Sequence, residues 1–176
     1  MGAGNDTVSI AAIPTVGSIN GGAGDDKLIV TGAISTALAA EPKITGFEIL
    51  QVATTSGTTT HNAHTLKALE VAGTNTATTF SNVAAGVGLT VLEANAGVTT
   101  TVTLANATGT ADVFNLTLKS AAAINAGTVA LAGVETININ SVDTDTSTAS
   151  GLNANTLTLS ATAAKSIADR KSTRLN

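Results

Sequence analysis

Large apolar residues recur along this chain in short runs separated by small and polar ones. The runs begin near Val8, Leu28, Phe47, Leu66, Leu89, Asp112, Val134 and Thr156, at steps of 20, 19, 19, 23, 23, 22 and 22 residues. Several share one frame: Phe47-Glu-Ile-Leu-Gln-Val52, Leu66-Lys-Ala-Leu-Glu-Val71, Leu89-Thr-Val-Leu-Glu-Ala94 and Val134-Glu-Thr-Ile-Asn-Ile139. One short strand returning every ~20 residues predicts the turn of a solenoid, whose rungs bury their inward faces only by stacking. Weaker strands lie between, such as Val98-Thr-Thr-Thr-Val-Thr-Leu104, where Val102 and Leu104 alternate with threonines in the period-two pattern of a half-buried strand. Asn95, Asn106, Asn125 and Asn155 suit corners, where Asn tolerates left-handed backbone angles. Helix signals are confined to residues 33–42, ended by Pro42, and residues 121–125. The expected fold is therefore all-β: an elongated parallel β-solenoid, β-roll or β-helix, with rungs of about 20 residues.

Composition narrows the picture further. Of 176 residues, 32 are Ala, 32 Thr and 17 Gly, against three Phe and no Trp, Tyr or Cys. Small and β-branched side chains suit thin stacked strand layers better than a thick core. The missing Cys excludes a disulfide framework and does not argue against export. A net charge of −4 disfavours nucleic acid and anionic membrane and favours divalent cations. No apolar run approaches the ~18 residues of a membrane span, and no secretory leader is legible at Met1.

The candidate chemistry is a phrase written twice. Gly2-Ala-Gly-Asn-Asp6-Thr-Val8 returns as Gly22-Ala-Gly-Asp-Asp26-Lys-Leu28, preceded by Gly21. The second copy fits the nonapeptide G-G-x-G-x-D-x-U-x at every fixed position, U being a large apolar residue. Glycines let the backbone turn, the aspartate supplies a hard anionic oxygen, and the apolar residue opens a strand. Calcium takes six to eight oxygens and one such loop offers only about three, so two loops on adjacent rungs are needed to surround an ion. The expected ligands are the carbonyls near Gly2, Gly4, Gly22 and Gly24 with the carboxylates of Asp6 and Asp26, the cofactor being Ca²⁺. Ordinary glycine–aspartate turns are the competing reading. The calcium-binding repeats then span residues 2–30, and chelation is expected to loosen that region more than the later rungs.

Other clusters read as structure. Asp143-Thr-Asp145-Thr-Ser147 lacks the sixth-place Gly and twelfth-place Glu of a calcium loop and is expected to be a polar corner. His61 and His64 are expected in an exposed loop, since zinc would need further ligands. Glu48 and Glu135 each follow a Gly-apolar pair, Gly46-Phe47 and Gly133-Val134, which reads as a repeated structural corner rather than a catalytic pair. No nucleophile elbow, zinc-protease helix or phosphate loop occurs, so no catalytic residue and no enzyme activity is expected.

These residues resemble bacterial RTX proteins, and more closely the S-layer and surface-adhesin branch with Thr/Ala/Gly-rich strand repeats. The nonapeptides carry the RTX likeness. Ile44-Thr-Gly-Phe-Glu-Ile-Leu-Gln-Val52, Gly109-Thr-Ala-Asp-Val113 and Gly133-Val-Glu-Thr-Ile-Asn-Ile139 carry the surface-layer likeness. The resemblance implies type I secretion, folding on meeting extracellular calcium, and a place on the bacterial cell surface, with copies of itself in a lattice or a cell-surface polysaccharide as partners. Two alternatives stand beside it. One is a repeat module of a secreted hydrolase whose catalytic domain lies elsewhere. The other is an ice-binding solenoid, suggested by Thr99-Thr-Thr101-Val-Thr103 and disfavoured by the uneven rung length.

The end of the chain is of another character. Asp169-Arg-Lys-Ser-Thr-Arg-Leu-Asn176 holds both arginines and matches the translation of a common sequencing-adapter oligonucleotide. It is set aside as non-native, leaving residues 1–168 as a single solenoid segment, expected to be a fragment of a longer protein.

Overall fold

The computed structural model describes residues 1–32, 43–53, 59–73, 76–145 and 154–171. These form fifteen strands: β1 (Thr7–Ile10), β2 (Ile19–Asn20), β3 (Lys27–Val30), β4 (Ile44–Thr45), β5 (Ile49–Ala53), β6 (Thr59–Asn62), β7 (Ala68–Ala72), β8 (Thr78–Val83), β9 (Leu89–Val91), β10 (Thr99–Leu104), β11 (Val113–Ser120), β12 (Asn125–Ala132), β13 (Thr136–Asp143), β14 (Thr156–Ser160) and β15 (Ser166–Lys171). The fold is all-β and no helix occurs among the described residues. One sheet of eight strands runs in the order β1-β3-β5-β7-β9-β11-β13-β15, a second of five in the order β14-β12-β10-β8-β6, and β2 pairs with β4. Every strand pairing is parallel, as between β5 and β7 and between β10 and β12. Alternate strands of the chain thus lie in opposite sheets, and the chain winds as a parallel β-solenoid.

Strand period and stacking together produce the core. On the long sheet Leu28, Leu50, Leu69, Leu89 and Leu116 stand in register across β3, β5, β7, β9 and β11. Val30, Val52, Val71, Val91 and Leu118 form a second column two residues further along. All ten are buried. The short sheet adds Phe80, Val102 and Leu131, also in register and buried. The alternation read at Val102 and Leu104 holds: both are buried while Thr103 is exposed. Burying each of these side chains contributes on the order of 2 kcal/mol, but only against a neighbouring rung.

Several expectations are corrected. The frame seen at Phe47 and Leu66 holds, since Leu50 pairs with Leu69, but then slips. Leu89, not Leu92, joins that column, because alternation can place only Leu89 and Val91 inside a three-residue strand. The column continues at Ile139 rather than Ile137. Thr156 opens β14 on the short sheet, and β15, beginning at Ser166, closes the long one. Residues 121–125 make a bend that leads into β12 rather than a helical turn; residues 33–42 lie outside the described residues. Asn82 is the non-glycine with positive φ among the described residues, at 61°. It sits where the register of β8 against β10 shifts. The corner asparagines instead cap the backbone with their side chains: Asn125 Oδ1 accepts the Gly127 N–H at 3.0 Å and Asn155 Oδ1 that of Ile124 at 2.8 Å. Asp169, Arg170 and Lys171 pair with Ile139, Asn140 and Ser141 as the end of β15.

Candidate metal centre at the glycine-rich corner

The two glycine loops stack one above the other at the entrance to the long sheet. Ala3 and Ala23 form a parallel bridge; Gly4 N–H donates to Ala23 O at 2.8 Å and Ala23 N–H to Gly2 O at 3.2 Å. Glycine is required here for two reasons. Gly4, Gly22 and Gly24 have φ of 121°, 110° and 141°, a region side chains rarely enter. A Cβ on Gly22 would also lie 2.2 Å from Gly2 O, and one on Gly24 2.4 Å from Gly4 O. Close stacking of the loops therefore depends on hydrogen at these positions.

Asp26 reaches the main chain of Asp6, and the two aspartates stand in unequal settings. Asp6 is half-buried, while Asp26 is 0% exposed. Asp26 Oδ1 accepts the main-chain N–H of Asp6 at 2.7 Å, and Lys27 N–H donates back to Asp6 O at 2.8 Å. Asp26 Oδ2 is buried and has no hydrogen-bond partner. It lies against the Gly21 backbone, where an added Cβ would be 2.6 Å from it and 1.9 Å from Gly46 O. Asp25 is no part of this inward group: its Oδ1 takes the Lys67 ammonium at 2.5 Å, and that hydrogen bond raises the Lys67 pKa.

Three participants were not anticipated. Glu48, one rung on, accepts the Asp26 N–H on Oε2 at 2.9 Å. Asn5 Oδ1 accepts the Asp25 N–H at 3.0 Å. Asn20 Oδ1 accepts the Gly22 N–H at 2.9 Å. The Gly-apolar-Glu pattern at Gly46-Phe47-Glu48 was the available signal for Glu48. Its role as a structural corner is the one the repeat suggested, and Glu135 does the same for Asp112.

The residues present fit a hard cation in chemistry and in one particular. Their donors are carboxylate, amide and carbonyl oxygens, the set calcium prefers, and a buried carboxylate oxygen is left without a proton donor. Such an oxygen costs about 1–3 kcal/mol or more unless something positive compensates it. Among the described residues no group of three or more His, Cys, Asp or Glu gathers as a metal cluster. Carbonyl oxygens of the glycine loops would have to supply the rest.

The two histidines part company. His64 is exposed as expected, but His61 is 0% exposed, which corrects the expected surface loop. It lies on β6 in register with Phe80, 6.0 Å between ring centroids, and neither ring nitrogen has a hydrogen-bond partner. Burial lowers its pKa to about 4. At Asp143 the polar corner is a local turn, Oδ1 accepting the Asp145 N–H at 2.8 Å; Ser147 lies outside the described residues. No helix among the described residues is long and apolar enough to cross a membrane. No family model matches the chain, and no curated protein matches it.

Proposed function

We propose that this chain is a structural segment of a secreted, calcium-binding bacterial cell-surface protein of the S-layer or adhesin kind, with no catalytic role of its own. The observation that carries the reading is the orphaned Oδ2 of fully buried Asp26 between stacked glycine loops. Calcium bound by Asp6, Asp26 and the carbonyls near Gly2, Gly4, Gly22 and Gly24 would neutralise that oxygen and tie the first rungs together. Where calcium is scarce, as in the cytosol, the same carboxylates would destabilise the corner, so binding and folding are linked. The solenoid supports a structural role because its stability lies in rung stacking, which extends along an axis. Calorimetric calcium titration of the purified chain, with circular dichroism alongside, is the test. Saturable binding with a gain of β-signal, lost in Asp26→Asn, supports the reading. No binding at millimolar calcium would leave the glycine loops as turns.

A second reading is favoured by a specific observation on the short sheet. Thr60, Thr79 and Thr101 face outward in register, as do Thr99, Thr128 and Thr158. Uneven rung length counts against an ice-binding face, but each row stays in register across three strands, with the pairing shifts of this sheet falling outside the rows, between Val102 and Leu104 and between Asn125 and Thr128. Thermal hysteresis measured on the purified chain tests it directly; none at high protein concentration removes the reading.

A further inference from the structure

The corner at Asp26 is built a second time, far along the solenoid. Asp26 N–H donates to Glu48 Oε2 at 2.9 Å, and Asp112 N–H donates to Glu135 Oε2 at 2.9 Å. Asp26 O accepts Glu48 N–H at 3.1 Å and Ile49 N–H at 3.0 Å; Asp112 O accepts Glu135 N–H at 3.1 Å and Thr136 N–H at 3.0 Å. On the next rung Glu48 O accepts from Lys67 and Ala68, and Glu135 O from Lys165 and Ser166. Both glutamates follow a glycine with positive φ and a buried apolar residue: Gly46 and Phe47, Gly133 and Val134.

The unusual feature is copied as well. Asp112 Oδ2, like Asp26 Oδ2, is buried and has no hydrogen-bond partner, although Asp112 as a whole is half-buried where Asp26 is fully buried. Gly109 sits against it as Gly21 sits against the first: a Cβ there would be 2.7 Å from Asp112 Oδ2. Glu135 is itself only 8% exposed. A chain that needed nothing more than a backbone cap would not have to shield an unpaired carboxylate oxygen twice, at the cost each one carries.

We propose that the Asp112–Glu135 corner is a second divalent-cation site, additional to the one at Asp6 and Asp26 and unmarked by any glycine nonapeptide. The inference rests on the calcium reading of the first corner. Asp112 Oδ2 is the anchoring oxygen and the Glu135 carboxylate supplies the second charge. The preceding rung offers Gly86-Val87-Gly88 in place of an aspartate loop, so water completes more of the shell. Affinity is expected in the weak extracellular range of about 10⁻⁴–10⁻³ M.

Calcium titration of the whole chain and of Asp26→Asn, Asp112→Asn and Glu135→Gln separates the two ideas. Gln keeps the acceptor for the Asp112 N–H while removing the charge, so the corner stays folded. Two ions bound by the unaltered chain, with one lost in Asp112→Asn and the weaker step weakened at least tenfold in Glu135→Gln, is the expected result. Calcium-dependent amide exchange protection over residues 109–113, retained in Asp26→Asn, is the second readout. One ion, lost in Asp26→Asn and untouched by Asp112→Asn, overturns this inference and leaves the first site standing. One ion lost only in Asp112→Asn keeps the inference and removes the first site. No binding removes both.

Discussion

Asp26 Oδ1 accepts the main-chain N–H of Asp6 at 2.7 Å, so a carboxylate of the second rung closes the backbone of the first. The residue that the motif marks as a metal ligand is thus also a structural cap. One oxygen holds the neighbouring rung and the other is left buried and unpaired. This division of labour separates charge from hydrogen bonding in a way that substitutions can probe.

Asp26→Asn keeps an acceptor for the Asp6 N–H and can offer an N–H₂ where Oδ2 stood. Without calcium the variant is expected to be as stable as the parent or more so, because the unpaired anionic oxygen is gone. With millimolar calcium the order is expected to reverse, since on the proposed calcium reading only the parent gains binding energy. Urea midpoints with calcium and with chelator measure this; a parent whose midpoint ignores calcium would count against it.

Gly24→Ala tests the stacking of the loops. The new Cβ would meet Gly4 O at 2.4 Å with φ at 141°, so the first rung must lift from the second. A loss of at least 1–3 kcal/mol at this corner is expected from backbone strain alone. Limited proteolysis should cut near the N-terminus while the strands from β9 onward stay protected.

Leu69→Ala removes a fully buried side chain from the middle of the leucine column, with Leu50 and Leu89 on either side. A destabilisation of about 2–5 kcal/mol is expected. The same change at Leu159, half-buried on the terminal strand β14, should cost less than half as much. Denaturant unfolding of the two variants gives the comparison.

His61 imposes a pH dependence of known sign. Burial lowers its pKa from 6.5 to about 4, so the unfolded chain binds the extra proton between those values. Its contribution is complete above about pH 6.5 and is lost as pH falls, by about 3 kcal/mol at most. His61→Leu, apolar and well suited to a site beside Phe80, should flatten stability between pH 7 and pH 4.5. An unchanged acid limb in that variant would assign the loss to other groups.

Two levels of information made this protein. The period-two and ~20-residue patterns determined by themselves that the chain is a parallel β-solenoid, because only stacked rungs can bury such short apolar runs. The glycine–aspartate phrase likewise located the first corner, since positive-φ backbone and a carboxylate are local demands. Tertiary structure alone decided the rest. Leu89 and Leu92 satisfy the same local pattern, and only stacking on Leu69 selects one of them. His61 and His64 look alike in sequence, yet register with Phe80 carries one inside and leaves the other in water. The likeness of Asp112 to Asp26 was invisible for the same reason: it lies in which N–H each neighbouring rung presents to a carboxylate, and that is set by stacking across more than twenty residues of chain.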